Sequence, residues 1–432
     1  MKNDAVSARR LAFESLVRSQ KEKRFANLEI NATIEKNALS DVDKSFYTAL
    51  VYTVFEKEFL LDFLLEKYLK SPVSKLDVEV CAALRLGGAQ IFFFDRVPDY
   101  SACFETVELV KKSRVRSSAG LVNAVLRSLV RDKEKLKKDI ENASLGVKYS
   151  VPEWIVDLWR EKYGEEKTIE ILEGFSKRPP LSLRVNTLKT TSQELLLKLS
   201  ENGVAAHASS VCDDIIVLDS SYSPTDLYGY EEGLFFVQGT ASALAVKALS
   251  PKKESLVLDV CACPGGKSFA AAMALCNTGE IHSFDLHESK LSLIEKGAKR
   301  LGIDNIFTEA HDAREPFSEF ESRADFVIAD VPCSGLGVIS KKPDIRQKNK
   351  ADIERLPDIQ KRILESAAKA LKPGGVLLYS TCTLNPEENE CVTNAFLKTC
   401  KGFSRRDGFP VTYFPGDVTE DGFFVDIIVK DF

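Results

Sequence analysis

SLVLDVCACPGGKSFAAAMALC, residues 255–276, is the stretch on which the fold turns. SLVLDV (255–260) is an apolar run of strand length, and SFAAAMALC (268–276) is helical. Between them stands Cys261-Ala262-Cys263-Pro264-Gly265-Gly266-Lys267. The glycines let a ligand approach the backbone without a Cβ in the way. The following helix starts at once, so its unpaired N–H groups point at the loop. More apolar runs follow: EIHSFDL (280–286), ADFVIADV (324–331) and GGVLLYSTC (374–382). HESKLSLIEKGAKRLG (287–302) and ADIERLPDIQKRILESAAKALK (351–372) separate them as helices. The alternation predicts an α/β domain from about residue 236 onward, built on a doubly wound parallel sheet. Ligands of such sheets bind beyond the carboxyl ends of the strands.

Those ends carry the chemistry. The glycine loop has neither GxGxxG nor Walker spacing, so a nucleotide phosphate is not the favoured ligand. Asp285 closes the second strand, where a carboxylate can accept hydrogen bonds from ribose hydroxyls. Asp312, in AHDAR, stands where a third strand should end, within reach of an adenine amino group. Gly-Gly, Asp and Asp on successive strand ends argue for an adenosyl ligand, and the missing phosphate cradle for S-adenosyl-L-methionine. The next two ends read DVPCSGLG (330–337) and STCTLNPEEN (380–389), so Cys333 and Cys382 should converge on one site beside Asp330.

A thiol, a methyl donor and an aspartate suit methylation of cytosine C5. Thiolate addition at C6 breaks the ring's aromaticity and makes C5 nucleophilic. An acid near N3 stabilises the developing charge, and cysteine is also a competent leaving group. Position alone does not say which cysteine attacks.

DVCACPGGKS (259–268), Asp285, Asp312, DVPCSGLGVISKKPDIR (330–346) and STCTLNPEEN together resemble the NOL1/NOP2/Sun family of RNA 5-methylcytosine methyltransferases. The resemblance implies a Rossmann-like S-adenosylmethionine-dependent methyltransferase domain. It implies that Cys382 is the nucleophile, that Cys333 serves product release, and that Asp330 lies between methyl donor and base. Residues Cys261, Ala262, Cys263, Pro264, Gly265, Gly266 and Lys267, with Asp285, Asp312 and Asp330, then hold the cofactor. Two other readings stand beside this one: a tRNA substrate, or a non-catalytic RNA-binding or assembly factor. Loss of Cys382 or of the glycine pair would mark the latter, and both are present.

Upstream, residues 1–140 read as an all-α bundle. Ala8, Leu11, Ala12 and Leu16 form one apolar stripe; Leu121, Val122, Val125, Leu126 and Leu129 form another. Gly87-Gly88, Pro72 and Pro98 punctuate the segment. RDKEKLKKDIEN (131–142) closes it as a solvated helix end or a linker. ALRLGGAQIFFFDRVPDYSACFETVELVKK (83–112) and SSAGLVNAVLRSLVR (117–131) resemble the NusB-like domain, which implies RNA docking. Residues 145–235 read as a small α+β, RRM-like module, with a strand in LSLRVNT (181–187), a helix in SQELLLKLSENG (192–203) and a strand in IIVLD (215–219). That domain order implies small-subunit ribosomal RNA as the partner.

Composition bounds the rest. Lys plus Arg number 59 against 64 Asp plus Glu, a net charge of −5, which excludes a uniformly basic coat. Basic residues still cluster at Lys111, Lys112, Arg114 and Arg116, and at Lys341, Lys342, Arg346, Lys348 and Lys350. Lys341, Lys342 and Arg346 follow the Pro-Cys loop and are the candidate RNA contacts. The ten cysteines include no CxxC pair and there are four histidines, so a structural zinc is not expected and most cysteines should be small buried residues. No apolar run reaches membrane-span length and MKNDAVSARR lacks a leader's apolar core. The expectation is a cytoplasmic monomer, with neither membrane nor metal.

Overall fold

The structure, a computed structural model, describes residues 7–22, 26–220 and 222–432; the first six, part of the stretch examined for a leader, lie outside them. Contacts divide the chain into two compact units: Met1–Ile169 with Ile339–Lys348, and Glu170–Val338 with Asn349–Phe432. Among the described residues no helix is long and apolar enough to cross a membrane.

The first unit is helical. Its elements are α1 (Ala8–Glu22), α2 (Ala26–Lys36), α3 (Asp41–Glu56), α4 (Glu58–Glu66), α5 (Val78–Phe93), α6 (Asp99–Lys111), α7 (Ala119–Arg131), α8 (Lys133–Glu141) and α9 (Leu145–Tyr149). The predicted α1 stripe is buried, and so are Val122, Val125, Leu126 and Leu129 of α7. Leu121 is not: it is 42% exposed, because it lies one position off the 122-125-126-129 face. Gly87 and Gly88 do not interrupt the chain. They sit inside α5, where a Cβ on Gly87 would come within 2.6 Å of the Leu126 side chain. The glycine is there for close helix packing. The charged stretch after Arg131 is α8, with Leu136 buried beneath it.

Helix α10 (Glu153–Ser176), bent at Gly164, belongs to the first unit up to Ile169 and to the second from Glu170. A four-stranded antiparallel sheet comes next, ordered β2-β3-β1-β4, from β1 (Ser182–Val185), β2 (Ala206–Ala208), β3 (Ile215–Leu218) and β4 (Phe235–Val237). Helix α11 (Ser192–Glu201) packs on it behind a Thr191/Glu194 capping box. Buried Asn186 donates to the carbonyls of Gly233 and Leu301, both at 2.8 Å, fastening this small sheet to the C-terminal part of the unit.

After α12 (Thr240–Leu249) comes the large sheet: β5 (Leu256–Asp259), β6 (Glu280–Asp285), β7 (Ile306–Ala310), β8 (Ala324–Asp330), β9 (Leu371–Thr381), β10 (Phe403–Arg405), β11 (Val411–Tyr413) and β12 (Phe423–Lys430). Its order is β10-β12-β9-β8-β5-β6-β7, with β11 also on β12. Strands β5 to β9 run parallel, and β5, β8 and β9 carry the apolar runs of strands covered on both faces. The β12 edge is antiparallel, so the sheet is mixed rather than wholly parallel. Chain order reverses between β5 and β8, which makes their carboxyl ends the switch point. Helices α13 (Gly266–Ala274), α14 (Glu288–Leu301), α15 (Lys350–Ile353), α16 (Leu356–Ala370) and α17 (Glu390–Thr399) complete the unit. The single helix expected over 351–372 is broken near Glu354, because Pro357 lacks an N–H and falls in the first turn of a new helix.

A buried polar chain knits β5, α13 and β6. The Ser283 hydroxyl donates to Ser268 Oγ at 2.9 Å, and Ser268 to Asp259 Oδ2 at 2.7 Å. Burial pushes the Asp259 carboxyl up to about 7, and neighbouring Asp330 pushes the same way. A folded value above the ordinary 3.8 means that this group favours folding at low pH. That contribution is lost as pH rises from about 4 through about 7. Asp259→Asn removes the titration. The melting temperature of the variant minus that of the wild type should therefore climb between pH 5 and pH 8. A difference that stays flat across that range would show that Asp259 is ionised in the fold throughout.

Candidate active site

The switch point gathers residues from three strand ends. Gly265 caps α13 at φ +107°, and a Cβ there would meet the Phe269 ring at 2.5 Å, so the turn requires glycine. Two residues on, the buried Lys267 side chain reaches back. Its Nζ lies 2.6 Å from Asp330 Oδ2 and 5.2 Å above the Phe423 ring. Asp330 Oδ1 accepts from the Ser380 hydroxyl at 2.6 Å. Strands β5, β8 and β9 are thus joined through one carboxylate.

Asp285 ends β6, with its Oδ1 accepting from the His287 N–H at 2.9 Å and Lys290 Nζ forming a looser ion pair with it at 3.8 Å. Asp312 follows β7 by two residues, where the Arg314 guanidinium grips it at 2.8 and 3.1 Å from Nε. That hydrogen bonding holds its carboxyl down at about 2. Cys261 lies amid these acids. Burial drives its thiol well above the ordinary range, and Asp259, Asp330, Asp285 and Asp312 all add to the effect. Cys261 is therefore a protonated thiol. The crevice has what an adenosyl ligand needs: a glycine loop with first-turn N–H groups and two carboxylates beyond it.

Cys333 and Cys382 meet, as the neighbouring strand ends predict, with their sulfurs 3.3 Å apart. The hydrogen bond with Cys382 and then burial push the Cys333 thiol well up. Their loops are stitched together. The Ser334 and Thr383 hydroxyls are 2.7 Å apart, and the Gly337 N–H donates to the Cys382 carbonyl at 2.9 Å. A Cβ on Gly337 would lie 1.9 Å from the Gly422 carbonyl, so this crossing also demands glycine.

The remaining sequence expectations divide. Among the described residues no disulfide forms, but three of the ten cysteines are buried (Cys81, Cys103, Cys212), not most of them. Cys276 and Cys391 are exposed. Of the candidate RNA contacts, Lys342 is exposed and Lys341 partly so. Arg346 is only 5% exposed. It belongs to the Ile339–Lys348 segment of the helical unit, where its Nη1 donates to the Ile339 carbonyl at 2.6 Å. Burial pulls its guanidinium down to about 10. Arg346 is a packing residue, because the segment around it, with Ile339 and Ile345, is itself buried. Sequence reading passed over Glu388, Gln360 and Phe423. The first lies in the NPEEN stretch, where a glutamate beside a ligand-facing strand end was the available signal.

Comparison with known proteins agrees with this geometry. A family model described as "16S rRNA methyltransferase RsmB/F" matches residues 246–428. A NusB family model matches 6–131, and an RsmF/B-like ferredoxin-like domain matches 151–225. A Bacillus subtilis protein named probable ribosomal RNA small subunit methyltransferase B is 36% identical over 397 residues, 91% of this chain and 88% of its own. A Vibrio cholerae ribosomal RNA small subunit methyltransferase B is 32% identical, covering 80% of each. The crystal structure of PH0851 is 27% identical, with a TM-score of 0.83 over 98% of both chains. Identity at this level along nearly the whole length makes the chain a member of the RsmB/F family of RNA methyltransferases.

Proposed function

We propose that this enzyme transfers a methyl group from S-adenosyl-L-methionine to C5 of a cytosine in small-subunit ribosomal RNA. The observation that carries the reading is the pair of cysteine sulfurs 3.3 Å apart, beside the Lys267–Asp330 ion pair, at the switch point of the sheet. In this reading the glycine loop Cys261 to Lys267 and Asp285 and Asp312 hold the cofactor. When bound, it supplies an electrophilic sulfonium methyl.

Cys382 is the thiolate that adds to C6. It stands directly at the end of β9; both cysteines are partly exposed, and the Cys333 thiol is pushed well up by its hydrogen bond with Cys382 and by burial. The Cys333 S–H can donate toward the Cys382 sulfur, stabilising a thiolate before attack and again as it leaves, when loss of the C5 proton to water breaks the C6–S bond and restores the ring. Asp330 sits where it can meet the N3 side of the base, its charge fixed by Lys267. The base must leave any stack to reach Cys382. We read residues 1–140 as the NusB-like RNA-docking domain, 145–235 as the small α+β module and 236–432 as the methyltransferase domain. The names of the relatives favour small-subunit ribosomal RNA as the substrate. Bisulfite sequencing of RNA from a strain lacking the gene tests this: one small-subunit cytosine should lose its mark. Loss confined to tRNA would overturn the substrate.

The cysteine roles separate on a denaturing gel with substrate RNA. Cys333→Ala should still attack and methylate but release slowly, leaving a shifted protein–RNA band. Cys382→Ala and the double variant should show none. An adduct seen only with Cys382→Ala would assign attack to Cys333.

Asp285→Ala should weaken S-adenosyl-L-methionine binding, through lost charge-assisted hydrogen bonds, by about 1.5–3 kcal/mol, roughly ten- to a hundredfold in Kd. Titration calorimetry giving wild-type affinity in the folded variant would take Asp285 out of the site.

A further inference from the structure

Beneath the two cysteines lies a carboxylate that the proposed methyl transfer does not use. Glu388 is fully buried, and among the described residues it has no cationic partner. It is instead surrounded by donors. Its Oε2 accepts from the Ser334 N–H at 2.8 Å and from Gln360 Nε2 at 3.0 Å. Its Oε1 accepts from Asn385 Nδ2 at 2.9 Å. Each side-chain donor is held in that orientation by a second bond. Gln360 Nε2 also donates to the Pro332 carbonyl at 3.0 Å, and Asn385 Oδ1 accepts from the Glu387 N–H at 3.2 Å. The Tyr379 hydroxyl donates to the backbone carbonyl of Glu388 at 2.7 Å.

The partners are informative. Ser334 and Pro332 flank Cys333, while Asn385 belongs to the loop that begins at Cys382. A buried charge without a counter-ion is costly, and a closed set of donors is what makes it tolerable. Three N–H donors on two oxygens also cannot be served by an amide, which offers one oxygen and one NH2 group. The two loops are not equally in need of this tie. Cys382 directly follows β9, whose Thr381 pairs with Phe424. Cys333 lies beyond the end of β8 in irregular chain.

We propose that Glu388 is a positioning residue that holds the Cys333 loop against Cys382, so that the second thiol is in place when the first must be released. This rests on the cysteine roles proposed for the methyl transfer, and its test is separable from them. The Glu388 charge also helps keep the Cys333 thiol protonated, which suits a donor to the departing sulfur.

The test uses the full-length protein with Glu388→Gln, and Gln360→Met as a milder variant in case the first does not fold. Both should keep S-adenosyl-L-methionine affinity within about twofold, since neither lies at the glycine loop or Asp285. Turnover should fall by about tenfold or more in Glu388→Gln, a loss of about 1.4 kcal/mol or more in barrier stabilisation. Two further readouts separate positioning from general damage. The first is disulfide formation between Cys333 and Cys382 under diamide, which takes up the two thiol hydrogens as the sulfurs join and becomes the hydrazine. Peptide mass mapping should show this cross-link forming quickly in the wild type and about tenfold more slowly in the variant. The second is the RNA adduct, which should accumulate in Glu388→Gln as in Cys333→Ala. Wild-type cross-linking in both variants would overturn the proposal whatever the activity. Slow cross-linking without an adduct in either Glu388→Gln or Cys333→Ala would uphold the positioning role and overturn the release role of Cys333.

Discussion

The parallel register of β8 on β9 is the constraint from which the site is built. Asp330 pairs with Ser380 across the two strands, and the same pairing brings the Pro-Cys and Thr-Cys loops out side by side. Side chains alternate faces along a strand, so a slip of one residue would turn Ser380 away from Asp330. It would also part the Gly337 N–H from the Cys382 carbonyl. A register held over five consecutive pairs, from Phe326–Val376 to Asp330–Ser380, therefore sets a sulfur–sulfur distance of 3.3 Å. Neither loop could do this alone, because both lack regular structure past the strand ends.

Charge is organised around the same point. Four aspartates (259, 285, 312 and 330) come from successive strand ends, and Lys267 is directed at only one of them. With Lys267 buried and the Asp330 side chain 34% exposed, the pair is a weak source of stability, since desolvating the ammonium offsets much of the attraction. Its value here is orientation: with Lys267 on Oδ2 and Ser380 on Oδ1, the Asp330 carboxylate cannot rotate. Asp259 then sits beside a fixed negative charge in the driest part of the sheet, and its proton is retained to about pH 7. Depth thus separates Asp259 from Asp312, whose carboxyl its Arg314 partner holds at about 2. The carboxylates at the crevice mouth, Asp285 and Asp312, have N–H groups and cations to satisfy them.

Much of this was legible in the chain because the signals were local. Apolar runs marked β5, β6, β8 and β9, and a glycine pair ahead of a helix marked the loop at the switch point. Asp285, Asp330, Cys333 and Cys382 followed from their places at strand ends. The features that escaped depended on distant partners. The strand Phe423–Lys430 contains Asp426, which breaks its apolar run and is buried through Arg405 on β10, a pairing invisible from either segment. Gly87 and Gly88 read as breaks because their packing partners, Leu126 and Leu61, lie on other helices. Glu388 read as one acid in a polar loop because its three donors come from three separate stretches.

Basic residues show the same limit, with a consequence for how RNA is held. Arg346 sits in a run of lysines, but the fold takes it inside with Ile339 and Ile345. Lys111 and Arg114 of the other cluster pair with Glu108 and with Asp77 and Glu79. The Lys111–Glu108 and Arg114–Asp77 pairs are largely exposed and worth roughly 0–1 kcal/mol each, so a phosphate can displace those acids at little cost, whereas Glu79 is buried; each pair also cancels long-range attraction. A chain of net charge −5 therefore gains little by steering RNA from afar. Affinity for a polyanion must come from short-range contacts once the partners have met.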